Sequence, residues 1–285
     1  MKTVLITGTS SGFGYLTAFK FAKAGYKVFA TARDVTSKSM IQMKEIALKE
    51  KLDIEQLEID VTNQETIDNV THIFKKRRER IDVLVNNAGY GILGPIETFS
   101  VEDIERQMNT NFLGVVRMVK SFLPLMREQG GGMIINISSA SVNGSIPFYG
   151  VYAASKAAVD RYSQALRSEV RQFGIKVAMV EPGGFNTHFG KNVEGLDEEK
   201  IKETVYGKWF KKLTAKRKAL KIDTKKGIMG WLRDPKWVVN KVYRVANTKN
   251  PPLRNLVGWD AYALSLGKRV IPDFIWDWIV RAYVK

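Results

Sequence analysis

This sequence of 285 residues predicts an α/β fold: a doubly wound parallel sheet of about seven strands, helices on both faces, in a single domain. Three observations carry that expectation. Val4-Leu5-Ile6 is an apolar run that passes directly into a glycine-punctuated turn and then into helical apolar spacing. Strand-length apolar runs then alternate with helical patterns along most of the chain, as repeated βαβ units require. No internal repeat, low-complexity linker or second glycine-rich start divides the sequence. Its apolar content of 45% suits one sizeable core.

Taken in order, the first strand is followed by Thr7-Gly8-Thr9-Ser10-Ser11-Gly12-Phe13-Gly14, and a helix runs on to a stop at Gly25. Lys27 to Thr31 reads as the second strand. Helix and strand then recur at Thr36–Glu50, Ile54–Ile59, Gln64–Arg80 and Ile81–Val85, the last closed by Asn86-Asn87-Ala88-Gly89. Two helices are expected over Ser100–Thr110 and Asn111–Gln129. Met133–Ile137 is a strand ending in Ser138-Ser139, Gly150–Phe173 a helix, and Lys176–Val180 a strand ending in Glu181-Pro182-Gly183. The strands end in small polar residues. In an open α/β sheet the ligand crevice lies outside the carboxyl ends of the strands, so these tips should converge.

After Thr187 the alternation breaks. Residues 188–233 are lysine-rich, with Trp209, Phe210 and Trp231 interleaved, and read as a helical insertion over the substrate site. A helix from Asp234 or Pro235 to Asn250 and a strand at Leu253–Val257 complete the domain, residues 1–258. Residues 259–285 form a C-terminal helical extension.

Composition narrows the chemistry. With no cysteine, disulfides, thiolate catalysis and cysteine metal sites are excluded, and two histidines argue against a histidine-rich metal centre; no metal is expected. The sequence enters its first strand almost at once, leaving no room for a signal peptide, and no apolar window is long enough to span a bilayer, so a cytoplasmic protein is expected. The formal charge of +16 suits anionic ligands, an acidic partner or a membrane surface, but no nucleic-acid motif accompanies it and no nucleic-acid partner is expected.

Tyr152 and Lys156 are four residues apart, so they share one face of their helix. A free phenol, with pKa about 10, exchanges protons poorly at neutral pH. A neighbouring ammonium favours the phenolate and is expected to lower that pKa. The glycine turn, set between a strand and a helix, lets backbone amides approach a phosphate at the positive helix end.

Together these motifs closely resemble the short-chain dehydrogenase/reductase superfamily, in its single-domain, Rossmann-type branch. The resemblance rests on T-G-x-x-x-G-x-G at Thr7–Gly14, N-N-A-G at Asn86–Gly89, Asn111 in Asn111-Phe112-Leu113-Gly114, and Ser139 thirteen positions before Tyr152. Lys156 and Pro182-Gly183 leading to Thr187 complete it. It implies an oxidoreductase that moves hydride between a nicotinamide and a carbonyl or alcohol. Tyr152 would be the general acid/base. Lys156 would lower the tyrosine pKa and hold the ribose hydroxyls, Ser139 would bind the substrate oxygen, and Asn111 would kink its helix and hold a relay water. Ser138 is an alternative to Ser139 on residue type, although the spacing favours Ser139.

For the cofactor, the resemblance points to Gly8, Ser10, Ser11, Gly12, Phe13 and Gly14 around the phosphates, and to Asp60 and Val61 near adenine. Asn87, Ala88 and Gly89 would line the adenosine side; Tyr152, Lys156, Pro182, Gly183 and Thr187 would surround the nicotinamide end. At the second strand's end, Ala32 stands where NAD enzymes usually place an acid and Arg33 follows. Arginine can pair with a 2′-phosphate, so NADP is favoured over NAD. A register two residues further on would instead make Asp34 a ribose ligand.

Val142, Ile146, Phe148 and Tyr149 suggest an apolar pocket and a lipophilic alcohol or ketone. The second strand and C-terminal region resemble the subgroup of 17β-hydroxysteroid and retinol dehydrogenases. A 3-oxoacyl-thioester reductase with an acidic carrier partner is an alternative, although such enzymes usually lack so long an extension. A non-catalytic NADP-binding sensor or scaffold is another, against the retention of Asn111, Ser139, Tyr152 and Lys156. In the tail, Trp276, Ile279 and Tyr283 recur at helical spacing. They suit core packing, a peripheral membrane contact, or a lid or homo-oligomer contact.

Overall fold

The computed structural model describes residues 1–144, 147–185, 193–194, 201–212 and 234–284. The chain begins β1 (Thr3–Thr7), α1 (Gly12–Lys23), β2 (Lys27–Ala32), α2 (Lys38–Lys49), β3 (Ile54–Glu58), α3 (Gln64–Arg77) and β4 (Val83–Asn86). It continues with β5 (Gly91–Ile92), α4 (Val101–Met108), α5 (Gly114–Glu128), β6 (Gly132–Ile137), α6 (Gly150–Val170) and β7 (Ile175–Pro182). The remaining elements are β8 (Val193–Glu194), α7 (Lys236–Ala246), β9 (Arg254–Val257), α8 (Trp259–Val270) and α9 (Asp273–Val284).

Seven strands form one sheet in the order β3-β2-β1-β4-β6-β7-β9, and every pairing is parallel. Strand order reverses between β1 and β4, which opens a crevice at their carboxyl ends. The strands are apolar on both faces because both faces are covered. In β1, Val4 and Ile6 meet Ala18 and Phe21 of α1, Met40 and Met43 of α2, and Val238 and Val242 of α7. Leu5 points the other way, to Ile67 and Phe74 of α3, Met118 and Phe122 of α5, and Val159 of α6. Phe21, Phe29, Phe74 and Phe122 are fully buried, and each such burial stabilises the fold by about 1.5–3 kcal/mol.

Local chemistry sets the helix starts. Ser100 accepts from the Asp103 amide, and Asp103 accepts from the Ser100 amide, a reciprocal capping box at α4. Asn63 accepts from the Glu65 amide at α3.

Two expectations are corrected and a third gains detail. The two helices predicted over 100–129 are continuous, α4 passing into α5 through a π-helical turn, Asn109–Leu113. The wider turn has room for the inward-facing Asn111 side chain. Within the insertion expected to be helical, Val193–Glu194 is a strand, β8, paired in parallel with β5. Much of 188–233 lies outside the described residues. The C-terminal extension is two helices, because Pro272 follows α8 and starts a new turn; its carbonyl accepts from the Ile275 and Trp276 amides.

Candidate functional site

Two loops build one side of the crevice. Gly8 (φ +70°) and Gly12 (φ +57°) adopt left-handed backbone that favours glycine. A Cβ at Gly8 would lie 2.8 Å from Ala88 Cα, and one at Gly14 would meet the Gly8 carbonyl and sit 2.5 Å from Asn87 Nδ2. The N-N-A-G loop therefore presses directly on the glycine turn. Thr7 Oγ1 accepts from the Asn87 and Ala88 amides, both at 3.0 Å. Asn87 Nδ2 donates to the carbonyls of Thr7 at 2.9 Å and Gly8 at 3.1 Å.

Ser11 is the N-cap of α1, its side chain makes no cap hydrogen bond, and no acid occupies the first turn. The helix end thus keeps its positive character toward an anion. Space over Gly12 is open, with no atom within 4 Å of a built Cβ. This cradle, with Ser10 and Phe13 beside it, fits a diphosphate.

At the next two strand ends, β2 stops at buried Ala32 and Arg33 is exposed. Asp34 Oδ1 accepts from the Thr36 hydroxyl at 2.6 Å and amide at 2.7 Å, which holds its carboxyl below the usual range. Asp34 is thus committed to a turn, and Arg33 is the charged group presented beyond β2. Asp60 Oδ1 accepts from the Thr62 amide and hydroxyl in a similar turn. Val61 is buried against Gly114, where an added Cβ would come within 2.8 Å of Val61 Cγ2.

At the opposite end, Asn111 is fully buried in the π-turn. Its Oδ1 accepts from the Tyr90 amide at 3.0 Å, while Nδ2 donates to the Tyr90 carbonyl at 2.9 Å and Ser155 Oγ at 3.0 Å. Lys156 Nζ donates to the Ile137 carbonyl at 2.9 Å and lies 5.9 Å from the centroid of the Tyr152 ring. Gly89 keeps the space between them open: a Cβ there would be 2.9 Å from Asn111 Oδ1 and 3.5 Å from Lys156 Nζ.

Tyr152 is buried, and a side-chain hydrogen bond joins it to Ser139. Burial pushes the phenol up to about 12, against the Ser139 bond, which favours the phenolate. Burial also pulls Lys156 down to about 8. Lys156 was expected to lower the tyrosine; here desolvation outweighs any such effect, and the same desolvation weakens the ammonium. Ser139 caps a short helical turn, Ala140–Val142, accepting from the Ser141 amide at 3.2 Å. Ser138 is buried and its Oγ has no hydrogen-bond partner among the described residues, whereas Ser139 is the serine that meets Tyr152.

Pro182 and Gly183 end β7 beside this group, and Thr187 lies outside the described residues. Asp260 of α8 holds the following loop, accepting from the Gly184 amide at 2.6 Å. Behind it, Glu181 is fully buried, which raises its pKa, and accepts from Asn143 Nδ2 at 3.1 Å. Arg254 pairs with both Asp160 and Glu181.

A buried aromatic cluster sits just ahead of α6, the helix that carries Tyr152. Phe148 holds φ +70°, unusual for its type, and its carbonyl accepts from the Gly94 amide at 3.0 Å. Trp209 and Phe210 pack on its ring with centroids at 4.8 and 5.3 Å, joined by Ile201. Tyr149 stands 6.4 Å from Tyr152. Ile146 lies outside the described residues. Ser155, Asn143 and Asp260 escaped sequence reading; only Ser155, just before Lys156, sat inside a motif that could have flagged it.

The family model described as short chain dehydrogenase matches residues 2–197. The 3-ketodihydrosphingosine reductase of Bacteroides thetaiotaomicron is 37% identical over 283 residues, covering 99% of this chain and 97% of the relative. Human retinol dehydrogenase 8 is 34% identical, covering 89% and 80%. Among solved structures, a short-chain dehydrogenase from Streptomyces avermitilis superposes with TM-score 0.75 at 29% identity, covering 99% and 97%. A gluconate 5-dehydrogenase from Burkholderia cenocepacia, in complex with NADP and tartrate, gives 0.63 at 27%, covering 67% and 74%.

Proposed function

The chain belongs to the short-chain dehydrogenase family, oxidoreductases of CH–OH and C=O groups, and we propose that it is an NADP(H)-dependent reductase of a lipophilic, long-chain 3-ketone. The observation that carries this reading is the Ser139–Tyr152 hydrogen bond, set beside Lys156 on a helix that begins at a buried aromatic cluster.

Bound NADPH would supply the hydride for the carbonyl carbon. Tyr152, held protonated up to about pH 12, gives its proton to the carbonyl oxygen as negative charge develops there. An alkoxide is a stronger base than even this phenolate, so that transfer runs downhill. Ser139 donates a second hydrogen bond to the same oxygen. Lys156, largely protonated below about pH 8, holds the ribose hydroxyls through the gap left by Gly89 and supports the phenolate left behind. Asn111, tied to the same helix through Ser155, would hold the relay water behind Lys156.

Gly8, Ser10, Ser11, Gly12, Phe13 and Gly14 would cradle the diphosphate, with Asn87 and Ala88 behind them and Asp60 and Val61 toward adenine. Arg33 supports NADP, since no acid stands at Ala32 and Asp34 is held in its own turn by Thr36. The aromatic cluster at the start of α6 suits an apolar substrate, and the relatives named for 3-ketodihydrosphingosine and for retinol point the same way.

The test is NADPH oxidation with 3-ketodihydrosphingosine, retinal and a polar keto-sugar. Turnover of a lipophilic substrate is expected, with Tyr152→Phe losing about 10²–10⁴-fold in rate while still binding NADPH. Near-full activity in that variant would overturn the mechanism. Tight NADPH binding with no turnover of any carbonyl would point to a sensor instead.

A further inference from the structure

We propose that the outer face of α8 and α9 is a docking surface for an anionic phospholipid bilayer. Their inner side is already occupied. Ala261 and Ser265 are buried, and Asp260 is bonded to the Gly184 amide. Trp276 turns inward, 2.8 Å from where a Cβ on Gly144 would stand and 3.2 Å from one on Gly267. Trp276, expected to share a stripe with Ile279 and Tyr283, therefore faces the protein; the side chains of those two lie outside the described residues.

The outer side is apolar and uncovered. Along α8, Trp259, Tyr262, Leu266 and Val270 recur every three or four residues, so they form one row, and they are 54–67% exposed. On α9, Phe274 and Trp278, one turn apart, are 75% and 69% exposed. Nearly half of the exposed large apolar side chains among the described residues lie in these two helices. A pair of short helices with outward Trp, Tyr and Phe is the form that lies in a lipid interface. No described helix is long and apolar enough to cross one.

Charge selects the occupant. The chain carries a formal +16, so two copies repel each other while an anionic surface attracts. The helices carry three basic residues, Lys268, Arg269 and Arg281, and three acidic ones. Asp260 is turned inward and Asp273 is paired with Lys268, which leaves Arg269 and Arg281 exposed against Asp277. The position has a consequence for the site. Because α8 and α9 rest on Gly184 and on the Ser139–Gly144 loop, the bilayer would lie on the substrate side. A lipophilic ketone could then enter from lipid; this last step rests on the proposed reductase function, whereas the docking does not.

The test is co-sedimentation of the full chain with vesicles of phosphatidylcholine plus phosphatidylglycerol and of phosphatidylcholine alone. Binding to the anionic vesicles, weakened by salt, is expected. Phe274→Ser with Trp278→Ser should reduce it about tenfold or more. The same variant should retain NADPH oxidation with a water-soluble ketone, which separates failed docking from failed catalysis or folding. No binding to anionic vesicles, equal binding to both vesicles, or unchanged binding by the variant would overturn the proposal. So would a stable dimer in light scattering that the two substitutions dissolve.

Discussion

Asn111 donates to Ser155 Oγ across 3.0 Å, tying the π-turn to the helix that carries Tyr152 and Lys156. The same side chain pairs with both the amide and the carbonyl of Tyr90. Asn111→Ala would remove three hydrogen bonds, although Gln107 still donates to the Tyr90 carbonyl and Ser155 to the Tyr152 carbonyl, at a cost of about 1–3 kcal/mol. The urea midpoint should fall with the m-value unchanged, and the rate should drop further than lost stability explains, because Lys156 loses its neighbour. An unchanged midpoint would show that the π-turn holds without this side chain.

Lys156 gives stability an unusual pH dependence. Its pKa is about 8 in the folded chain against an ordinary 10.5, so between those values the unfolded chain binds more protons. Stability therefore rises with pH across that window. Below about pH 8 the full desolvation cost is present; above 10.5 it is gone. The span is worth about 3 kcal/mol. Tyr152 acts in the opposite sense: its pKa, raised from 10.0 to about 12, makes stability fall between those values. Urea unfolding of the wild type minus that of Lys156→Met, measured from pH 7 to pH 10, should isolate the lysine contribution. A flat difference would show that Lys156 is better solvated than its burial implies.

Arg33 should distinguish the two nicotinamide cofactors. It is exposed just beyond β2, and Asp34 is held in its own turn. Arg33→Ala should weaken NADPH binding about 10–100-fold, the worth of one charge-assisted contact. NADH binding should stay nearly constant. Titration of protein fluorescence with each cofactor measures both, and equal losses would show that Arg33 does not read the 2′-phosphate.

Much of this arrangement was legible in the sequence because its causes are local. Strands covered on both faces are largely apolar, so Val4–Ile6, Val83–Val85 and Met133–Ile135 stood out as unbroken runs. Gly8 and Gly14 are demanded by close backbone approach, and Tyr152 and Lys156 by helical spacing. What escaped depends on the folded environment. The two-residue ladder of β5 and β8 has no periodicity to detect. A π-turn at Asn109–Leu113 has the same apolar pattern as two adjoining helices. The phenol's rise to about 12 comes from side chains that bury it, and no spacing rule measures burial.

Asp260 illustrates the same limit and offers a test of it. A Cβ on Gly183 would fall within 2.5 Å of Asp260 Oδ2, although the residues are far apart in sequence. The Gly183 backbone is not left-handed, since it is absent from the positive-φ glycines, so alanine would be resisted by the neighbouring carboxylate and not by its own conformation. Gly183→Ala alone should destabilise the chain by about 1–3 kcal/mol, the usual cost of overpacking. Asp260→Ala removes the obstacle and also the bond to the Gly184 amide. The double variant should therefore be more stable than the sum of the two losses predicts, with a coupling of about 1 kcal/mol or more. Strictly additive unfolding free energies would mean that the glycine is required for some reason other than the carboxylate beside it.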